Sequence, residues 1–229
     1  LIIDHWDWPA EYWERLEKRP ETIFVAVDIP PGGFYKFDLV FQGIRNSLAN
    51  RDYKQDGCSV HEGPKYLMLS PDSQRYSGAW KPTGRLKSVL LTFGGTDLAG
   101  FSNKTLDCLR RLPHNFDLTL IVGPGTPNYS AIEATAKSSG LKVDILRDIG
   151  SLAEFMCRAD LVVSTAGLGS LAELALTGAP AILFAAVPHQ TDNADKYSSI
   201  GGALNCAQKV GIVDELFIRH LDSLAKNPQ

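Results

Sequence analysis

The sequence predicts an α/β fold in which helices cover both faces of a parallel sheet. From residue 87 onward, apolar runs of strand length alternate with segments whose apolar residues recur at helical spacing. Strands that alternate with helices of this length form right-handed βαβ units and therefore a three-layer domain. Glycine-containing turns follow several of the apolar runs, as is typical of strand-to-helix connections.

The elements after residue 87 can be assigned in order. Residues 88–93 (SVLLTF) form an apolar run that suits a buried parallel strand and ends at Gly94. The following segment, 102–112, carries leucines at helical spacing and is closed by Pro113. The same reasoning predicts strands over 117–122, 143–146, 161–163 and 181–184, and helices over 129–139, 152–158, 170–176, 197–204 and 215–225.

The first 86 residues are less regular. The polar stretch 46–63 is rich in turn-forming residues and indicates loops. Residues 70–86 contain prolines, glycines and several polar residues, a composition typical of a linker between domains. We predict strands over 1–3, 23–27 and 38–41, a helix over 10–18, an N-terminal α/β domain over 1–69, a linker over 70–86 and a C-terminal domain over 87–229.

The composition and charge of the chain argue against several kinds of binding partner and binding site. The net charge is −3, the pI is about 6.0 and no stretch clusters Lys and Arg beyond Arg110-Arg111, which argues against a nucleic-acid partner. No apolar run approaches the roughly 20 residues that a membrane span needs. The four cysteines form no C-x-x-C pair, so we expect buried thiols in a cytoplasmic protein. No second ligand stands at metal-binding spacing from His189, so we expect no metal.

A small-residue turn after the apolar run 161–163 is the strongest indication of a binding site. Gly167, Gly169 and Ser170 stand where a parallel strand gives way to a helix. Such a turn presents backbone N–H groups and the positive end of the helix to an anion, at the sheet edge where ligands bind. It predicts a phosphate or diphosphate site. Glu173 either closes a capping box with Ser170 or accepts hydrogen bonds from ribose hydroxyls.

Two further groups lie at the same predicted edge. Gly94, Gly95 and Thr96 form either a ligand-binding turn or an ordinary strand-to-helix turn with Asp97 or Ser102 as the helix cap. Three polar residues after the strand over 181–184 either reach sugar or phosphate oxygens or serve as loop and capping residues; they are His189, Gln190 and Asn193.

As a set, these motifs resemble a known family. FGGTD, VGPG, ADLVVSTAGLGSLAELALTGAPAILF and HQTDNA are similar to the carboxyl-terminal half of GT-B nucleotide-sugar enzymes, which have Rossmann-type domains. The chain resembles the PseG/SpsG family in particular: the UDP-sugar hydrolase of pseudaminic acid biosynthesis and the spore-coat polysaccharide proteins. The peptidoglycan N-acetylglucosaminyltransferase is a more distant relative. The resemblance covers residues 86–204 well and is fainter over 1–70, where IIDHW and GPKYLMLSPD carry it.

The resemblance implies roles for the residues above. The turn of Gly94, Gly95 and Thr96 would face the nucleotide and its diphosphate. Residues 167–170 would hold the diphosphate and Glu173 the ribose. His189 and Gln190 would lie near the sugar and phosphate. Asn193 and His5 would be the catalytic candidates, with His5 between Asp4 and Trp6 where the first domain of the family lines the cleft.

The chain also departs from the family pattern. It opens on LIID without Met, so we expect a fragment whose glycine-rich loop and water-activating histidine lie upstream of Ile2, which leaves the N-terminal domain incomplete. Trp6 replaces a common Tyr, and AGLGSLAEL differs from AG-x-T-x-x-E-L. The predicted function is a UDP-sugar hydrolase that needs no cofactor. A glycosyltransferase for a cell-surface polysaccharide and a non-catalytic nucleotide-sugar-binding module are the alternatives.

Overall fold

The computed structural model describes residues 1–3, 11, 15, 17, 20–27, 37–43, 58–113, 115–213 and 215–227. The chain forms two compact units, Leu1–Met68 and Leu69–Gln229, and each is considered by itself. Most of the helix predicted over 10–18 lies outside the described residues. Across the described ranges, no helix combines the length and hydropathy that a membrane span requires.

The first unit contains a four-stranded parallel sheet in the order β1-β2-β3-β4. The prediction of loops throughout 46–63 was wrong at its end, because β4 pairs with β3 there. Val60 is the one aliphatic residue in β4, so no apolar run marked this strand. The strands are β1 (Ile2–Ile3), β2 (Val25–Val27), β3 (Leu39–Gln42) and β4 (Ser59–Glu62).

The second unit is built on a six-stranded parallel sheet in the order β10-β9-β8-β5-β6-β7. Its strands are β5 (Ser88–Thr92), β6 (Asp117–Ile121), β7 (Val143–Leu146), β8 (Leu161–Thr165), β9 (Ala181–Phe184) and β10 (Ala203–Asn205). Its helices are α1 (Pro71–Gln74), α2 (Phe101–Leu109), α3 (Tyr129–Ser138), α4 (Leu152–Arg158), α5 (Leu168–Thr177), α6 (His189–Ser199) and α7 (Glu215–Lys226).

The strand order reverses between β5 and β8. The chain runs outward from β5 through β6 to β7, returns to β8 beside β5, and then runs the opposite way through β9 to β10. Right-handed crossovers therefore place α2 and α3 on one face of the sheet and α4, α5 and α6 on the other. This arrangement confirms the predicted α/β class with a parallel sheet.

Buried aromatic rings hold the first of these faces together. Phe101 of α2 stacks on Phe184 of β9 with ring centroids 5.1 Å apart, and Phe217 of α7 lies 5.3 Å from Phe184. All three side chains are fully buried. Because each ring comes from a different element, this cluster ties α2 and α7 to the sheet.

The segment predicted as a linker packs on the helices of the second unit. Trp80 Nε1 donates to the Ala159 carbonyl at 2.9 Å, and Gly78 N donates to the Leu176 carbonyl at 2.8 Å. Trp80 N also donates to the Thr177 carbonyl. These bonds join residues 78–80 to the ends of α4 and α5.

The helix predicted over 197–204 was wrong in its bounds, since only residues 197–199 of that range are helical. The helix α6 begins at His189, and residues 203–205 form the edge strand β10, which pairs with β9. The first turns of α6 are polar, so no apolar periodicity revealed them. Gly201 and Gly202 separate α6 from β10, and the strand is too short to give a pattern of its own.

Candidate functional site

A cavity of about 710 Å³ lies at the carboxyl edge of the second sheet, where the strand order reverses. Its volume suits a small-molecule ligand, and a reversal of strand order is the usual ligand position in open α/β sheets. Eight predicted site residues line it together: Gly94, Gly95, Thr96, Gly167, Gly169, Ser170, Glu173 and Gln190.

Smaller concavities lie elsewhere on this unit. One of about 180 Å³ is at the opposite sheet edge, beside the first residues of β8, β9 and β10, and one of about 430 Å³ lies over β5, β6 and β7 beside α4. Neither is lined by the glycine turns or by Glu173. We therefore assign the candidate site to the cavity at the carboxyl edge.

The amino end of α5 opens into this cavity. Gly167 occupies the N-cap position and has no side chain that could accept a hydrogen bond from the first N–H groups of the helix. The first intrahelical bond runs from Leu171 N to the Gly167 carbonyl. The N–H groups of Leu168, Gly169 and Ser170 have no acceptor among the described residues. Free N–H groups at a helix start form an anion site, which the helix dipole strengthens.

The alternative of a capping box at Ser170 was wrong. Ser170 lies inside α5, at its third residue, whereas a capping box needs Ser at the N-cap position. Glu173 therefore lies one turn into the helix and is free of any capping role at Ser170. Its side chain lines the cavity instead.

At three of the glycines that line the cavity, neither the backbone conformation nor the packing of the protein requires glycine. Gly95, Gly167 and Gly169 avoid the left-handed backbone region. A Cβ on Gly95 or Gly169 would meet no protein atom within 4 Å, and on Gly167 only Gln190 Nε2 at 3.6 Å. The fold thus tolerates larger residues there, and their absence leaves the backbone accessible to a ligand. Gly94 differs, because its φ of +78° favours glycine for the turn itself.

A third turn, after β6, fixes the glycine turn after β5. A Cβ on Gly123 would lie 2.4 Å from the Gly94 carbonyl oxygen and 2.5 Å from Gly95 Cα. Gly125 N donates to the Gly95 carbonyl at 2.8 Å. The motif VGPG includes Gly123, Pro124 and Gly125, but sequence reasoning missed this contact, which a Gly-Pro-Gly run at the same sheet edge could have suggested.

Asp97 caps the helix after the β5 turn. Its Oδ1 accepts from Phe101 N at 2.7 Å and its Oδ2 from Ser102 N at 3.0 Å. Gly100 occupies the N-cap position, and the Asp97 side chain performs the expected capping of α2 from three residues earlier, so its carboxylate is occupied by α2. Gly94, Gly95 and Thr96 remain the members of this turn that line the cavity.

Glu173 is held from behind by the segment predicted as a linker. Its Oε1 accepts from Ser73 Oγ at 2.8 Å. Burial raises the pKa of Glu173, while hydrogen bonds from Ser73 and from the Ala153 N–H lower it, and the net direction is upward. Sequence reasoning missed Ser73, because nothing local links it to a residue 100 positions later.

Of the three predicted site residues in α6, one lines the cavity and two do not. Gln190 lines the cavity, and its Oε1 accepts from Ala186 N at 2.8 Å. Asn193 is not among the lining residues; its Nδ2 donates to the Ala166 carbonyl at 3.2 Å and so supports the turn before α5. His189 is exposed and does not line the cavity. The catalytic and sugar-binding roles of these residues stay predictions.

The remaining catalytic candidate, His5, lies outside the described residues, as do Asp4 and Trp6. Within the described part of the chain, no group of three His, Cys, Asp or Glu side chains could hold a metal ion.

The charge of the cavity comes from carboxylates. Asp148 and Glu173 are its charged lining residues, and no Lys, Arg or His side chain is among the described residues that line it. An anion at this site would therefore be bound by backbone N–H groups and the start of α5 rather than by a side-chain cation.

Comparison with known proteins assigns the second unit to a family. The family model of the glycosyltransferase family 28 C-terminal domain matches residues 89–229. The chain belongs to this family. A crystal structure of Acinetobacter baumannii MurG has the same fold, with a TM-score of 0.62 at 19% identity over 89% of this chain and 64% of that one. This likeness confirms the GT-B fold and, with the family, the resemblance inferred from the motifs.

Two curated relatives extend the comparison. The spore coat polysaccharide biosynthesis protein SpsG of Bacillus subtilis is 24% identical over 98% of this chain and 66% of that protein. The UDP-N-acetylglucosamine--N-acetylmuramyl-(pentapeptide) pyrophosphoryl-undecaprenol N-acetylglucosamine transferase of Chromobacterium violaceum is 30% identical over 66% of this chain and 46% of that enzyme. The chain thus spans 66% of the first relative and 46% of the second.

The contact between the turns after β5 and β6 predicts a stability effect. Gly123→Ala should destabilise the second unit by about 1–3 kcal/mol, because its methyl group would overlap the Gly94 backbone and force the turn to move. Urea unfolding followed by tryptophan fluorescence would measure the loss. Gly150→Ala is the matched control, since a Cβ there meets no atom within 4 Å. Equal stability of the two variants would contradict the contact.

Proposed function

We propose that this chain binds a nucleotide sugar, with UDP as the nucleotide, in the cavity at the carboxyl edge of the second sheet. The observation that carries the proposal is the opening of the unpaired N–H groups of α5 into a cavity lined by glycines that the fold itself does not require. Free N–H groups at the start of a helix are the groups that bind phosphates and diphosphates in other proteins. UDP is favoured by the resemblance of the motifs to the PseG/SpsG family.

The position of each group in the cavity supports an order for the ligand. The diphosphate would accept hydrogen bonds from the N–H groups of Gly169 and Ser170. Glu173 lies one turn further along the same helix, so its carboxylate would accept from the ribose hydroxyls. Ile149 and Leu152 also line the cavity and offer apolar surface to the base.

The same groups would assist cleavage of the donor. When the bond between the anomeric carbon and the diphosphate oxygen breaks, the electron pair leaves with UDP and adds negative charge to it. The start of α5 would stabilise that charge in the transition state as well as in the product. Backbone dipoles suffice for this task, so the reaction we propose needs no bound metal.

The acceptor distinguishes two reactions. In hydrolysis, a base takes a proton from water, whose oxygen then bonds to the anomeric carbon; the resemblance to the PseG type favours this reaction. In transfer, a sugar hydroxyl takes the place of water, and membership of glycosyltransferase family 28 favours this alternative. The name of the Bacillus subtilis relative supports a place for either reaction in polysaccharide biosynthesis.

Nucleotide binding is the first test. UDP at about 100 times its Kd should stabilise the second unit by about 2.7 kcal/mol, whereas GDP and CMP at the same concentration should stabilise it less. Glu173→Ala should weaken UDP binding about 10- to 100-fold, the contribution of hydrogen bonds to a charged group. Thermal unfolding and calorimetry would measure both effects. Equal stabilisation by all three nucleotides, or by none, would refute the proposal.

Product analysis separates the two reactions. We expect the protein to release UDP from a UDP-sugar, because the cavity stabilises UDP as the leaving group. Chromatography of the products would show free sugar if water is the acceptor. Release of UDP that depends on an added glycan would identify a transferase instead. If UDP binds but no donor is cleaved under either condition, this chain binds the nucleotide without catalysing either reaction.

Gly169→Ala should move stability and binding in opposite directions. Alanine is favoured over glycine in a helix by about 1 kcal/mol, and its Cβ meets no protein atom, so the melting temperature should rise or stay the same. The methyl group would nevertheless stand where the diphosphate approaches, and UDP affinity should fall about tenfold or more. An unchanged affinity measured by calorimetry would show that the ligand does not contact this part of α5.

A further inference from the structure

We propose that Ser73 is a positioning residue for Glu173, which it orients so that the carboxylate presents its free lone pairs to the ribose diol. This inference rests on the proposed function, since it concerns the same nucleotide site. Ser73 belongs to α1, in the segment before β5, and no motif of the sequence points to it.

The geometry places Ser73 behind the carboxylate and outside the cavity. Its Oγ donates to Glu173 Oε1 at 2.8 Å, its side chain is fully buried, and it is not among the cavity-lining residues. Glu173 itself lines the cavity. Ser73 can therefore act on a ligand only through Glu173.

A second hydroxyl, that of Ser151, forms a hydrogen bond with Ser73, and the bond from Ser73 to Glu173 determines its direction. Ser151 Oγ lies 3.3 Å from Ser73 Oγ, and either oxygen could donate to the other. The single proton of the Ser73 hydroxyl is committed to Glu173, so Ser151 must donate and Ser73 must accept. The result is a chain of hydroxyls, from Ser151 to Ser73 to Glu173, in which each bond polarises the next.

The donors behind Glu173 leave part of its capacity unused. An ionised carboxylate accepts about four hydrogen bonds. Ser73 and the backbone N–H of Ala153 account for two of them. The remaining lone pairs are available on the cavity side, where two adjacent ribose hydroxyls can both donate. A carboxylate held at two points also loses less rotational freedom when the ligand binds.

The charge state of Glu173 supports the same role. Burial raises the pKa of this carboxyl group, and the hydrogen bonds from Ser73 and Ala153 oppose that rise. Ser73 thereby favours the ionised form, in which both carboxylate oxygens act as acceptors and neither carries a proton that could compete with the diol.

Ser73 can be changed without removing the anchors of its segment. Gly78 N and Trp80 N donate to carbonyls at the end of α5, and Trp80 Nε1 donates to the Ala159 carbonyl after α4. None of these bonds uses the Ser73 side chain. Loss of the Ser73 hydroxyl should therefore affect the position of Glu173 more than the backbone path of residues 78–80.

A ligand pair distinguishes positioning from a general structural role. Calorimetry would compare UDP with 2′,3′-dideoxy-UDP, which lacks the diol, in the wild-type chain and in Ser73→Ala, Glu173→Ala and the double variant. We expect Ser73→Ala to weaken UDP binding about tenfold and to leave the dideoxy analogue unchanged. In the double variant, UDP affinity should match that of Glu173→Ala alone, because Ser73 acts through Glu173.

Controls keep the outcome decisive. Ser77→Ala removes an exposed hydroxyl from the same segment and should change neither affinity. If Ser73→Ala does not fold, Ser151→Ala tests the same chain of hydroxyls, with a smaller loss of UDP affinity expected and none for the analogue. Equal losses for the two ligands, or no loss for either, would overturn the inference. Absence of UDP binding in the wild-type chain would instead refute the proposed function.

Discussion

The reversal of strand order between β5 and β8 is the constraint on which the second unit depends. Because the connections from these neighbouring strands leave in opposite directions, their turns diverge and a cavity opens between them at the carboxyl edge. The reversal also assigns α2 and α3 to one face and α5 to the other. It therefore determines both the layers of the domain and the point at which the start of α5 meets the glycine turn after β5.

The anion site that we propose has no side-chain cation among the described residues that line the cavity. A lysine or arginine would cancel the charge of Glu173 or compete with the ligand for it. Backbone N–H groups do neither, so an anion-binding helix end and a carboxylate can coexist one turn apart on α5. The donors that reach this carboxylate are neutral: the Ser73 hydroxyl and the Ala153 N–H oppose the upward effect of burial on its pKa without adding a positive charge.

Much of this arrangement could be predicted from the sequence, and the failures have physical causes. The strands β5, β6, β8 and β9 contain buried apolar residues, so their pattern locates them, whereas the edge strands β4 and β10 have no fully buried residue and form by pairing with a neighbour. The glycine turns and Glu173 follow such runs and were found with them. Ser73 was missed because its contact is purely tertiary. The contact of Asn193 with the Ala166 carbonyl was missed for the same reason, and α6, which carries Asn193, begins at His189, before its predicted start.

Recognition by the main chain has a consequence for how such a protein tolerates mutation. The groups that we assign to the diphosphate are N–H groups, and every residue except proline carries one. Truncating side chains to alanine would leave them in place, so an alanine scan would underestimate this region of the cavity. Larger side chains are the informative substitutions, because they would block the approach of a ligand to the backbone of α5. Natural variation at these positions should therefore be limited by side-chain volume rather than by chemical type.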